Sequence, residues 1–123
     1  LIIYNYKRMT PATYTIPNHY KSDTFDAITF TIKEDAVAVN LTGVAIKIDF
    51  RKGKNTGTLQ QSFTIGSGIT LTDAINGVFR LDSFINNYDA DVYYYDCEIT
   101  FPSGVVRTYF KGTLTVNQDT ANV

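Results

Sequence analysis

Asp89, Asp91, Asp96 and Glu98 are the densest group of carboxylates in this chain, and closely spaced carboxylates are the raw material of a calcium site. A calcium loop also needs a glycine at its sharp turn, and none stands between Asp89 and Glu98. Ion pairing with basic neighbours is the simpler use of these charges. His19 is the single histidine, set in the turn-like run Pro17-Asn18-His19-Tyr20 with no cysteine near it. One ligand does not hold zinc, so an exposed loop position is expected. Cys97, the single cysteine, rules out an intrachain disulfide and a multi-cysteine metal centre. Neither a Gly-x-Ser-x-Gly elbow nor a His-Glu-x-x-His helix occurs. The tip Lys52-Gly53-Lys54-Asn55-Thr56-Gly57 lacks the Gly-Lys-Ser/Thr ending of a phosphate-binding loop, and its charges read as solvated. The chain therefore reads as non-enzymatic, with no catalytic, cofactor or metal residue assigned.

Tyr93, Tyr94 and Tyr95 are the remaining candidates. Alternation along a strand sends Tyr94 outward beside Tyr109 of the next strand, while Tyr95 faces in. An exposed tyrosine pair could stack on a sugar or anchor a protein interface. Its plainer use is a cross-strand aromatic pair that stabilises the sheet. Tyr94 and Tyr109 form the candidate contact surface, and an uncovered strand edge offers a second route for a partner.

The element that must carry these residues runs from Asp91 to Val116. Tyr95, Cys97, Ile99 and Phe101 are the apolar set of its first half; Val106, Phe110, Leu114 and Val116 are that of its second. Facing residues in an antiparallel hairpin point to one side of the sheet. A tight turn at Ser103-Gly104 then faces Phe101 with Val106, Ile99 with Thr108 and Cys97 with Phe110. On the other side it faces Glu98 with Tyr109 and Asp96 with Lys111, an acid opposite a base. Cys97 lands on the buried side, where a free thiol acts as a small hydrophobe.

With 123 residues the chain is long enough for one domain with a sizeable core. Aromatics make up 14% of it, all Tyr and Phe without Trp, which favours strands. A formal net charge of −1 gives no footprint for nucleic acid or an anionic membrane, and neither is expected as a partner. The run Leu1-Ile2-Ile3-Tyr4 is too short for a signal-peptide core or a membrane span. With no initiator Met, the chain reads as processed or cut from something longer.

Over residues 1–22 the pattern is least regular. Leu1–Tyr4 could add an edge strand, Lys7-Arg8 reads as solvated, and Ala12–Ile16 alternates briefly before Pro17. Phe25–Lys33 buries Ile28, Phe30 and Ile32; Glu34 to Val39 is a connection, and Asn40–Gly43 is a turn. Val44, Ile46, Ile48 and Phe50 point inward and face Leu59, Phe63 and Ile65, with Phe50 opposite Leu59 and Ile46 opposite Phe63. Ile69–Asp73 and Val78–Asp82 pair around Ile75–Gly77, with Gly77 left-handed beside a bulge. Ser83–Asp89 is a connection with room for one helical turn, and residues 118–123 form a polar tail. Short strands with frequent turns and no helical period define an all-β, antiparallel two-sheet sandwich of seven to nine strands over residues 23–117. Asp91-x-Tyr93-x-Tyr95-x-Cys97 places a Tyr two residues before a Cys at a strand start, the tyrosine-corner pattern of immunoglobulin-like folds.

One further pattern spans Ser22 to Thr120. Ser22-Asp-Thr-Phe25 opens it, Leu41-Thr-Gly43 leads into the strand ending at Arg51, and Asn76-Gly-Val-Phe79 follows. Tyr93-Tyr-Tyr-Asp96, Gly112-Thr-Leu-Thr-Val116 and Asp119-Thr120 complete it. This order resembles the immunoglobulin-like module at the N-terminus of phage upper baseplate proteins and related tail or fibre proteins. The resemblance implies a virion protein, assembled in a bacterial host cytoplasm, that forms homo-oligomers and docks onto other virion structural subunits. It carries no catalytic motif. Tyr109-Phe110 departs from the family's polar-aromatic strand, so no contact residue is transferred. A carbohydrate-binding module using the exposed tyrosines is the alternative from another class, and a bacterial surface or pilus-like adhesion domain is a third.

Overall fold

The computed structural model describes residues 1–5 and 10–118. Among them the regular structure is all strand, with no helix. In chain order the strands are β1 (Ile2–Asn5), β2 (Ala12–Thr13), β3 (Ile16–Tyr20), β4 (Thr24–Phe25), β5 (Ile28–Glu34), β6 (Val37–Ala38) and β7 (Ala45–Lys52). After the loop at Gly53–Gly57 come β8 (Leu59–Ile65), β9 (Gly68–Asp73), β10 (Val78–Leu81), β11 (Phe84–Ile85), β12 (Asp91–Thr100) and β13 (Val106–Asn117). Lys7-Arg8 and the tail past Gln118 lie outside the described residues.

The all-β expectation holds, but the sheets are arranged differently from a clean antiparallel pair. One continuous path runs β1-β5-β10-β9-β8-β7-β12-β13-β2, with β3 also on β13 and β6 on β5. It curls until its ends nearly meet: the Asn5 amide on β1 donates to the Tyr109 carbonyl on β13 at 3.1 Å. The fold is thus close to a barrel. A separate ladder joins β4 to β11, and it continues the β5–β10 pairing in the same frame after a short break. Four pairings are parallel: β1 with β5, β8 with β9, and both β2 and β3 with β13. Strands of two to five residues are too short to show a period, which is why the sequence suggests fewer.

β1 and β3 are part of the body, since Ile3 and Ile16 are buried in the core. His19 belongs to β3 and not to a loop; its ring stacks on Phe25 with centroids 4.8 Å apart. Ser83–Asp89 holds β11 and no helical turn, and it delivers Phe84 and Tyr88 to the interior. Phe30 on β5 meets Phe110 on β13 across the interior at 4.6 Å, and Phe50 on β7 meets its cross-strand neighbour Tyr95 on β12 at 5.3 Å.

Register follows the inward–outward pattern until a bulge intervenes. Cys97 faces Phe110 and Asp96 faces Lys111, as parity requires. Beyond Cys97 the frame slips, and Glu98 faces Thr108 while Ile99 faces Arg107. The cause lies at the turn, where Phe101 N–H reaches the Val105 carbonyl and Gly104 N–H the Phe101 carbonyl, both at 2.8 Å. Three residues, Pro102 to Gly104, close it, with Gly104 at φ 89°. A longer turn shifts the pairing by one, and a bulge at Tyr109 shifts it back. Tyr109 is therefore buried and Val106 exposed, the reverse of strict alternation.

Two other hairpins slip in related ways. Ile48, not Ile46, faces Phe63, because the five-residue tip and a bulge at Gln60 lengthen the connection. Leu59 and Ile65 are consequently left partly exposed on β8. Between β9 and β10 the loop is Ala74–Gly77, one residue longer than expected, and the bulge after Val78 brings Ile69 opposite Leu81. Gly77 is left-handed at φ 74°, and a Cβ there would lie 2.7 Å from the Ile32 carbonyl oxygen.

Glu34 to Val39 is a tight hairpin between β5 and β6. Its two turn residues, Asp35 and Ala36, both have positive φ, at 49° and 66°. Left-handed backbone costs a residue with a Cβ roughly 1–2 kcal/mol, partly offset by the greater freedom glycine has when unfolded. Ala36 is exposed. Ala36→Gly should raise the unfolding free energy in urea by about 0.5–1 kcal/mol.

Candidate functional site

Most of the residues that looked chemical in the sequence are absorbed by structure. Cys97 is fully buried, and burial pushes its thiol well above the ordinary range, so it stays a neutral hydrophobe. Tyr93 lies inside, and its hydroxyl donates to the Asp89 carbonyl at 2.7 Å. This four-residue backward link is made by Tyr93; Tyr95, the residue two before Cys97 where the corner was expected, makes none. The Tyr95 hydroxyl instead ties β12 to the Tyr14 carbonyl at 2.7 Å. Tyr88 hydroxyl donates to Gln61 Oε1 at 2.6 Å. Burial holds the Tyr88 and Tyr95 hydroxyls protonated far above the usual phenol range.

The carboxylate group divides. Asp89 pairs with Lys21 at 2.9 Å and Lys52 at 3.7 Å, and those partners hold its carboxyl below the usual range. Asp91 accepts from the Val92 N–H at 2.7 Å. Asp96 and Glu98 remain on the outer face of β12. Among the described residues, no three His, Cys, Asp or Glu side chains are placed to hold a metal ion.

That outer face is the surviving candidate. β12 is flanked by β7 and β13, so Tyr94 sits between Arg51 and Thr113, Asp96 between Asp49 and Lys111, and Glu98 between Lys47 and Thr108. Strand alternation puts all nine side chains on one side. A groove of about 610 Å³ lies across them, walled by Pro11 and Thr13 at one rim and Asn55 at the other. Tyr94 is 37% exposed in it; Tyr109, expected beside it, is 3% exposed on the opposite side of the sheet. The bulge at Tyr109 thus removes the second ring of the expected pair. The Tyr109 hydroxyl lies 3.4 Å from Glu34 Oε1.

Charges within the groove are unevenly paired. Lys47 reaches Asp49 at 3.9 Å and Glu98 at 4.0 Å. Ser62 Oγ donates to Asp49 at 2.5 Å, and Arg51 turns aside to the Gly57 carbonyl at 3.2 Å. Asp96 has no ion pair among the described residues, although Lys111 is its register neighbour. Burial in the groove and the carboxylates of Asp49 and Glu98 raise its proton affinity, against smaller opposing effects of Lys47 and Arg51. The strand-edge route is restricted on β8, because the bulge at Gln60 interrupts the run and residues 64–65 already pair with β9.

No protein-family profile matches the chain, and no curated protein matches it. Among solved structures, it is similar to the crystal structure of the ZIG-8–RIG-5 IG1–IG1 heterodimer, at 14% identity and a TM-score of 0.34. That match covers 90% of this chain and 86% of the other. A likeness of that size carries no functional argument.

Asp96 binds its proton more tightly folded than unfolded, so its ionisation opposes folding. Stability from this group is greatest at low pH, falls as pH rises from the ordinary carboxylate range through the raised folded value, and stays lower above it. Burial sets the effect first, then the charges of Asp49, Glu98, Lys47 and Arg51; Lys111 also faces Asp96 across the ladder. Asp96→Asn should therefore stabilise the protein at pH 7 by up to about 0.5 kcal/mol, the scale of surface changes, with no gain near pH 3. Urea unfolding at the two pH values measures it, and destabilisation at pH 7 would contradict the account.

Proposed function

We propose that this chain is a non-enzymatic structural module of a phage or phage-like particle, working by contact with neighbouring virion subunits. The observation that carries the contact reading is the β7–β12–β13 outer face, where Tyr94 stands in an open groove while the chemically reactive side chains of the interior serve packing. The virion setting rests on the resemblance of Ser22–Thr120 to the modules of upper baseplate, tail and fibre proteins. The finer fold assignment belongs here as well. The runs β1-β5-β10-β9 and β8-β7-β12-β13 are joined in the strand ladder by two residue pairs between β8 and β9, and at the other end by the Asn5 side chain on the Tyr109 carbonyl. Reading them as two walls of an immunoglobulin-like sandwich agrees with the Tyr93 corner at the start of β12. Such a module assembles in the host cytoplasm, where a lone buried cysteine stays reduced.

Carbohydrate binding is the weaker reading, because burial of Tyr109 leaves one ring where a sugar platform would use two. Sedimentation of the purified chain, alone and mixed with the products of its neighbouring genes, tests the proposal. The expected outcome is self-association or a stable complex, weakened at least tenfold by Tyr94→Ala with thermal unfolding unchanged. A chain that stays monomeric and binds none of those products sinks it, as does saturable glycan binding abolished by Tyr94→Ala.

A further inference from the structure

Asn76-Gly77 is the one Asn-Gly step in the sequence, and it stands in the turn between β9 and β10 with Asn76 exposed. An asparagine followed by glycine is open to attack by the next backbone nitrogen, because no Cβ shields that nitrogen. In that reaction the Gly77 nitrogen bonds to Asn76 Cγ as its proton passes to solvent base. The Cγ–Nδ2 bond breaks, and Nδ2 leaves as ammonia. Water then opens the five-membered imide at either carbonyl, leaving aspartate or isoaspartate at 76.

The closed turn engages both reacting groups elsewhere. Gly77 N–H donates to the Ala74 carbonyl at 3.1 Å, and Asn76 Nδ2 donates to Asp73 Oδ2 at 2.9 Å. Gly77 is buried, and its own carbonyl accepts from the Ile32 N–H at 2.9 Å. Closing the imide needs the Gly77 nitrogen freed and the Asn76 side chain turned back over the main chain, so the turn must open first. The products do not fit back. Aspartate at 76 sets a carboxylate against Asp73 where an amide donor stood. Isoaspartate adds one carbon to the main chain directly before Gly77, where even a Cβ would lie 2.7 Å and 2.8 Å from the Ile32 and Val39 carbonyl oxygens.

We infer that Asn76-Gly77 is a self-modification site gated by the fold: the closed turn protects it, each opening exposes it, and the isoaspartate product cannot restore the Gly77 bond to β5. Water is the only co-reactant, so the site acts independently of any partner and of the virion setting proposed above.

The purified chain and the peptide acetyl-Ala-Ile-Asn-Gly-Val-Phe-amide are incubated side by side at mildly alkaline pH, with and without urea, and followed by peptide-mapping mass spectrometry. The folded chain should convert residue 76 at least tenfold more slowly than the peptide, and the urea-unfolded chain at the peptide's rate, since a protected site reacts only through its open fraction. Asn76→Gln should abolish the conversion, because its longer side chain would have to close a six-membered ring. Asp73→Ala, which frees the Asn76 amide, should speed it at least threefold in the folded chain and leave the rate in urea unchanged. In the isoaspartate form the Ile32 amide should lose its protection from hydrogen exchange while the amides of β12 keep theirs. A folded chain that reacts as fast as the peptide, conversion centred on another asparagine, an Asp73→Ala rate equal to that of the unaltered chain, or an isoaspartate form with Ile32 still protected overturns the inference.

Discussion

The fold depends on a connected run of aromatic rings that spans the interior. Phe25 stacks on Phe84 at 4.7 Å, Phe84 meets Tyr88 at 5.9 Å, and Tyr88 meets Phe50 at 6.2 Å. From Phe50 the run continues through Tyr95 to Phe110, which touches both Phe30 and Phe79 on the facing wall. Each such side chain buries a large apolar area, and ring pairs add roughly 0.5–1.5 kcal/mol beyond that area. Without a disulfide or a tryptophan, these contacts are what hold the two walls of the curled sheet at a fixed distance. The hydroxyls matter as well. Tyr93, Tyr95 and Tyr88 each end on an acceptor, so a core rich in tyrosine leaves these polar tips satisfied.

The groove is a by-product of the same packing. Cys97 and Tyr95 can face inward only if Tyr94, Asp96 and Glu98 face outward, and β7 and β13 add their own outward rows on either side. The position of each charge in the groove is therefore fixed by the core it backs onto. What the core does not fix is the pairing among those charges, and there Asp96 faces Asp49 on one side and Lys111 on the other.

Long strands were legible because burial imposes a period of two on Ile46, Ile48 and Phe50, on Phe30 and Ile32, and on Tyr95, Cys97 and Ile99. Alternation could not reveal a pair of irregularities that cancel. The three-residue turn at Pro102–Gly104 and the bulge at Tyr109 leave the far ends of β12 and β13 in the expected register while inverting the segment between them. Tyr109 was misplaced for that reason alone. Short parallel strands such as β1 and β2 carry too few residues for any period, and their partners are distant in sequence. Tyr88 was hidden in a connection because nothing local distinguishes a buried ring from an exposed one there. The outward placement of Tyr94 and the facing of Asp96 with Lys111 were legible because they lie on the uninterrupted side of the bulge.

The parallel seam of β2 and β3 against β13 has a mechanical consequence. Tension applied through the chain draws β3 back toward its start and β13 forward toward its end. Because these strands run the same way, the two pulls are opposed along a shared axis, and the ladder from Ala12 to Tyr20 is loaded in shear. Bonds in shear carry load together, whereas a hairpin pulled at its open end unzips one bond at a time. The Tyr14 N–H to Lys111 carbonyl bond at 2.9 Å and the Lys21 N–H to Asn117 carbonyl bond at 2.8 Å reinforce that seam. Pulled between β3 and β13, a module built this way resists stretching through the whole seam at once.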